Sequence, residues 1–428
     1  MLFTNIDVLR ADGTLLAGQY VAVRDGRIVH VGKSVHTDDW GEIVDGKDRL
    51  LLPGFYNVHT HAAMTLMRGY GEGLPLDRWL YERIFPFEEK LTGEDIYWGT
   101  LLGIAEMLST GTVSFSDMYY HCGRVARAVL DSGVKANIGR SVSCTEENTR
   151  FRDLPAYSET RELLDTAQGL GNGRIRIDVA PHSEYTTHPS LLAEMAELAG
   201  EYGVRIQTHL SETEKEQREC VGRYGKTPAR VMKDAGVFDH PTTAAHCVWA
   251  TDRDLELLAE KGVTVAHCPQ SNLKLGSGVA PVEKMRRMGI AVALGTDSAA
   301  SNNNLDMLEE LRTAVLLARG VSRNPAALPA GEALYMATRG GALAQGREDC
   351  GDIREGYRAD LLVLNLRAPA MLPRHDVLSN LLFSGGADAL EMTMADGRVL
   401  YRNGEFTTLD IERIRRHVSR CVQTALSR

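Results

Sequence analysis

Between residues 51 and 297 the chain carries eight short apolar or β-branched runs, and nearly every one ends on its carboxyl side in a histidine or a carboxylate. The runs are Leu51 to His61, Thr112 to Asp117, Lys135 to Arg140, Arg176 to His182, Arg205 to His209, Thr242 to His246, Val263 to His267 and Ala291 to Asp297. Segments between them, such as Leu191 to Tyr202 and Leu255 to Lys261, have helical apolar spacing. Alternating strand and helix signals build a parallel sheet, and eight such units close a (β/α)8 TIM-like barrel. In barrels of this kind the carboxyl ends of the strands carry the active site. Polar residues placed by chance would be scattered.

Both ends of the chain follow a different pattern. Gln19 to Arg24 and Arg27 to Val31 flank Asp25-Gly26, a two-residue hairpin signal, and the same grammar returns at Ala359 to Leu364, Thr393 to Leu400 and Asn403-Gly404. The two ends are expected to pair into a small β-sandwich from residues 1–52 and 356–408, beside a barrel over 53–355. Residues 409–428 read as a polar amphipathic helix on the exterior. A chain of 428 residues is long enough for both units.

A net charge of -9, with no block of Lys and Arg, argues against nucleic acid or an anionic membrane as partner and favours a small-molecule substrate. No run has the length of apolar residues that a bilayer requires, and Met1 to Val8 lacks the marks of a signal peptide. The seven cysteines are scattered without a CxxC, as reduced thiols in a cytoplasmic protein would be. Cys247 and Cys268 each follow a strand-end histidine and read as small buried thiols.

The strand ends make a constellation. His59 and His61, one residue apart in a strand, project to the same side. His209 ends the fifth strand and Asp297 the eighth, which neighbours the first in a closed barrel. Three imidazoles and a carboxylate can converge on one divalent ion, best zinc, with iron and manganese also suited to the donor set. Such an ion acidifies a water near neutral pH, which is what a hydrolase needs. Glu212, three residues beyond His209, can shuttle a proton while also standing where Ser211 to Glu214 open a charged helix. His246 would orient the water, His182 would touch substrate, and His267 reads as a structural residue of the barrel wall. The fourth strand contains no lysine that could bridge two metals, which points to one.

The motifs Pro53 to His61, His209-Leu210-Ser211-Glu212, His246-Cys247, Ser271 to Gly276 and Gly295 to Asn303 together resemble the amidohydrolase superfamily. Within it they are most similar to the 5′-methylthioadenosine/S-adenosylhomocysteine deaminases and related chlorohydrolases. The resemblance implies a mononuclear zinc or iron centre on His59, His61, His209 and Asp297. It also implies that Glu212 delivers a proton to a purine ring nitrogen while hydroxide attacks the carbon bearing the amine, with His246 and Asp297 handling the water. Glu88 falls where adenosine-type deaminases place a glutamate on the ribose hydroxyls, Trp79 resembles an aromatic lining the pocket, and Arg140 resembles an arginine of the binding face. A second family arginine sits in a Gly-Gly-Arg segment absent from this chain, where Arg150 or Arg152 is the nearest substitute. That departure leaves 5′-methylthioadenosine, 5′-deoxyadenosine and adenosine as eligible as S-adenosylhomocysteine. The expected activity is hydrolytic deamination of a 5′-modified adenosine to the inosine analogue and ammonia. Its rivals are an aminohydrolase or chlorohydrolase for a guanine, pterin or triazine ring, and a catalytically silent structural barrel. The family commonly forms homo-oligomers.

Overall fold

The computed structural model describes residues 1–36 and 38–428. Its central sheet has eight parallel strands in chain order: β1 (Phe55–Thr60), β2 (Thr112–Tyr119), β3 (Lys135–Val142), β4 (Ile175–Pro181), β5 (Ile206–Leu210), β6 (Thr242–His246), β7 (Thr264–His267) and β8 (Val292–Leu294). The first and last strands come together where the Asp297 N–H donates to the His59 carbonyl at 2.9 Å, so the TIM-like barrel is nearly closed. Outer helices follow the expected pattern. Pro189–Tyr202 ends on Gly203 in the left-handed conformation, and Asp252–Lys261 starts on a Thr251 capping box and stops at Gly262.

The expected first strand is in fact two. Arg49–Pro53 pairs antiparallel with Leu361–Asn365 in the second sheet, built from the chain ends, and β1 begins after Gly54. A side chain at Gly54 would place its Cβ 2.5 Å from Val113 Cγ1, so the chain can pass this close to β2 only as glycine. The β1–β2 ladder also shifts register between Asn57 and Thr60.

The floor of the barrel is closed by the segment after helix Arg339–Ala344. Gln345 donates to the Asn57 carbonyl at 3.0 Å, and Arg347 donates to the carbonyls of Ala136 and Arg174 at 3.1 and 2.9 Å. Ala344 meets Val58, Ala245, Ala266 and Ala293 in a small apolar cluster.

The two ends of the chain share one nine-stranded sheet in which Leu2–Leu9 lies beside Arg49–Pro53 in parallel. The sheet folds over on itself. Phe3, Ile6 and Val23 from one end and Leu361, Val363 and Met394 from the other occupy one core. The hairpin tips Asp25-Gly26 and Asp396-Gly397, all four at positive φ, touch each other. Helix Ile411–Ser427 packs on helix Gly93–Ser109, with His417 stacked on Trp98 at 3.8 Å. Among the described residues no helix is long and apolar enough to cross a membrane.

Candidate active site

His59, His61, His209 and Asp297 converge at the carboxyl end of the barrel. Asp297 Oδ1 lies 3.5 Å from His59 Nε2 and 3.3 Å from His61 Nε2, and His61 Nε2 lies 3.3 Å from His209 Nε2. His61 Nδ1 is 2.6 Å from the Met118 carbonyl and His209 Nδ1 is 2.7 Å from the His182 carbonyl. A carbonyl only accepts, so each ring carries a proton on Nδ1 and turns its Nε2 inward. His59 Nε2 is buried with no hydrogen-bond partner.

These atoms fit a metal ion. Donors about 2.0–2.1 Å from a tetrahedral ion stand about 3.3 Å from one another, which is the spacing observed. Burial drives the His59 and His209 imidazolium forms well below their usual range, so both rings are neutral donors. Burial also pulls His61 down, but the hydrogen bond and charge of Asp297 outweigh it and carry the value up to about 9. For Asp297 burial is likewise outweighed, by His61 and His59, and its carboxyl is held well below the carboxylate range. The carboxylate demands positive charge among the imidazoles, which a divalent cation would supply. His246 falls in an overlapping group with His59 and His209 whose ligand atoms lie within 4.8 Å of one another.

Around this cluster the strand ends are bent. Ser211, His246, Cys247 and Asp297 all have positive φ, strain of the kind that collects at functional sites. His246 Nδ1 is 2.8 Å from Asn272 Oδ1. With the proton on Nδ1, its Nε2 faces the cavity 3.8 Å from Glu212 Oε2. Asp297 Oδ2 accepts from the hydroxyls of Ser271 and Ser301 at 2.6 and 2.8 Å, which leaves Oδ1 for the imidazoles. Glu212 precedes the helix Glu214–Tyr224, which Thr213 caps. It is held by its own N–H, which donates to Glu216 Oε2 at 2.7 Å, and it accepts from Ser277 Oγ at 3.4 Å. Burial pushes the Glu212 carboxyl up.

A cavity opens over the cluster, lined by His61, His182, His209, Glu212, His246 and Asp297 together with Trp79 and Glu88. Trp79 and Glu88 ride on a segment of three short helical pieces, Leu76–Trp79, Leu80–Ile84 and Phe85–Glu88, the middle one a π-turn. Burial pushes the Glu88 carboxyl up to about 7. His182 Nδ1 sits 2.9 Å from Thr186 Oγ1. Arg140 lines an adjoining chamber instead, which shares Phe85, Glu88, Tyr119 and Tyr120 with the main cavity. Arg150 and Arg152 line neither chamber. His267 is buried beside a separate hollow on the barrel exterior. Sequence reasoning did not single out Asn272, Ser271, Ser301, Ser277 and Tyr185. The first three lie inside the motifs Ser271 to Gly276 and Gly295 to Asn303, and polar side chains there were the available signal.

Residues 50–400 match the model of the amidohydrolase family. A 5-methylthioadenosine/S-adenosylhomocysteine deaminase of Dictyoglomus thermophilum is 46% identical over 374 residues, covering 87% of this chain and 86% of that one. Among solved structures, an adenosine deaminase from Xanthomonas campestris with bound zinc superposes with a TM-score of 0.93 at 32% identity, covering 100% of this chain and 98% of that one. The zinc complex of the atrazine chlorohydrolase TrzN from Arthrobacter aurescens superposes at 0.90 with 27% identity, covering 98% and 99%. With the nearly closed barrel and the His/Asp cluster at its mouth, these likenesses settle the family: the chain belongs to the amidohydrolases.

Proposed function

We propose that this protein is a metal-dependent hydrolytic deaminase that converts a 5′-modified adenosine into the inosine analogue and ammonia. One observation carries the reading: a single cavity is lined by His61, His209 and Asp297 of the cluster, whose fourth member His59 lies buried behind them, together with Glu212, His246 and Glu88. The relatives named as 5-methylthioadenosine/S-adenosylhomocysteine deaminases support it.

His59, His61, His209 and Asp297 would hold one divalent ion, and zinc suits three imidazoles and a carboxylate best. The ion supplies Lewis acidity that makes a water nucleophilic near neutral pH. His246, its Nδ1–H engaged by Asn272, accepts a proton from that water through Nε2 and fixes its direction of attack. Buried Glu212 carries the acidic proton and gives it to the ring nitrogen beside the carbon under attack. The carbon–oxygen bond forms, the ring carbon–amine bond breaks, and the amine departs as ammonia after taking the hydroxyl proton relayed through Glu212, while the proton held on His246 returns to Glu212, 3.8 Å away, and restores both groups. Glu88 accepts hydrogen bonds from the ribose hydroxyls, and Trp79 covers the sugar and base. His182 touches the substrate near the reacting centre.

The test is the ultraviolet spectrum of 5′-methylthioadenosine mixed with zinc-loaded enzyme. A shift from the adenine to the hypoxanthine chromophore is expected. No shift from enzyme with zinc shown to be bound would move the substrate to another heterocycle.

A further inference from the structure

Resting on the nucleoside reading above, we propose that Glu159 is a specificity-determining residue: it cancels the charge of Arg140 in the chamber next to Glu88, so the enzyme favours neutral or cationic 5′-substituents over anionic ones. The chamber meets the main cavity at Phe85, Glu88, Tyr119 and Tyr120. With the ribose on Glu88, which the main cavity and this chamber share, the 5′ group of a nucleoside lies within reach of the chamber. Three carboxylates, Glu88, Glu89 and Glu159, face one guanidinium in its lining.

That guanidinium is occupied on three sides. Arg140 Nε pairs with a Glu159 carboxylate oxygen, Nη1 donates to the Ser141 carbonyl, and the carbon of the group lies 5.0 Å over the Tyr120 ring. Its side chain is only 15% exposed, against 46% for Glu159. An incoming carboxylate would have to displace Glu159 and would meet the net negative charge that remains, whereas a methylthio group meets the aromatic walls. An ammonium finds Glu159 and Glu89.

The experiment is a charge series on zinc-loaded enzyme: 5′-methylthioadenosine, its 3-aminopropylthio analogue and its 3-carboxypropylthio analogue, each read as kcat/KM. In the native protein the anionic analogue is expected to be the poorest of the three. Because the Glu159 end of the pair is nearly half exposed, Glu159→Gln is expected to raise the anion-to-neutral ratio about fivefold and to lower the cation-to-neutral ratio similarly. Arg140→Gln, which removes the cation and leaves Glu159, moves both ratios the opposite way and serves if the first variant is poorly folded. A variant that merely loosens the fold lowers all three substrates together and leaves the ratios unmoved. Ratios within twofold of native in both variants, or both ratios moving in the same direction, overturn the assignment of Glu159 while the deaminase stands. Zinc-loaded native enzyme that turns over none of the three overturns the deaminase reading and this inference with it.

Discussion

Glu212 and Asn272 touch the same histidine region from opposite sides, and their loss is expected to look different. Glu212→Gln keeps the shape and the contact with Ser277 but removes the transferable proton, so kcat is expected to fall about 10²–10⁴-fold. Because Glu212 is not among the clustered donor atoms of His59, His61, His209 and Asp297, the zinc content measured by elemental analysis is expected to stay at the native ratio. Asn272→Ala frees His246 Nδ1, whose ring then loses its fixed tautomer, and kcat is expected to drop roughly 10–100-fold, checked by steady-state kinetics at equal zinc content. The two residues also differ in how legible they are. Glu212 follows a strand-end histidine by three positions, a spacing that itself suggests a shuttle. Asn272 lies inside a short helix, Pro269–Lys274, and nothing in its sequence surroundings shows that this helix leans over the barrel mouth. Ser271 and Ser301 share that limit: their hydroxyls reach one oxygen of Asp297 only because that helix and the turn after β8 meet there.

At the level of elements, the β/α alternation and the histidines at strand ends were readable because apolar period and residue chemistry are local properties. The exact ends were not. β8 stops at Leu294, and Asp297 lies three residues on, turned inward by a positive φ. The chain reaches that turn through Gly295, where a Cβ would lie 2.9 Å from His59 Cβ and 3.0 Å from His59 N. Gly295→Ala is therefore expected to push His59 away from its partners and weaken zinc binding roughly 10–100-fold, read by competition with a chelator, while far-ultraviolet circular dichroism stays native. An unchanged zinc affinity would mean that β1 yields without cost. The segment carrying Trp79 and Glu88 was legible as residues and not as a shape, since a π-turn between two short helical pieces has no sequence period of its own.

For the whole molecule, the pairing of the two chain ends could be read from their shared hairpin grammar, whereas the joint that fastens the folded-over sheet to the barrel could not. That joint is a buried ionic network. Lys135, at the start of β3, pairs with Asp360 and with Asp396, whose Oδ1 is 2.8 Å away, and Tyr56 of β1 donates to Asp360. Lysine at a strand start ordinarily reads as a solvated end, and its acceptors lie more than 200 residues away along the chain. Burial disfavours both charged forms, yet the pairing wins: the Lys135 ammonium is held above its usual range and the Asp360 carboxyl below its own. The lysine contribution is complete below the unfolded value and fades as pH rises through the raised one. The aspartate contribution is complete above its unfolded value and fades as pH falls through the depressed one. Between about pH 5 and pH 9 both are therefore fully present. Lys135→Met leaves buried Asp360 without its cation, while Asp396 keeps Arg174 at 3.4 Å and Arg358 at 3.5 Å, and is expected to cost about 3–5 kcal/mol near neutral pH, measured from the urea midpoint. In the variant Asp360 can be buried as a neutral acid, so the deficit relative to the native protein is expected to shrink as the pH is lowered toward 5. A deficit that is equal at pH 7.5 and pH 5 would show that Lys135 contributes packing and not charge.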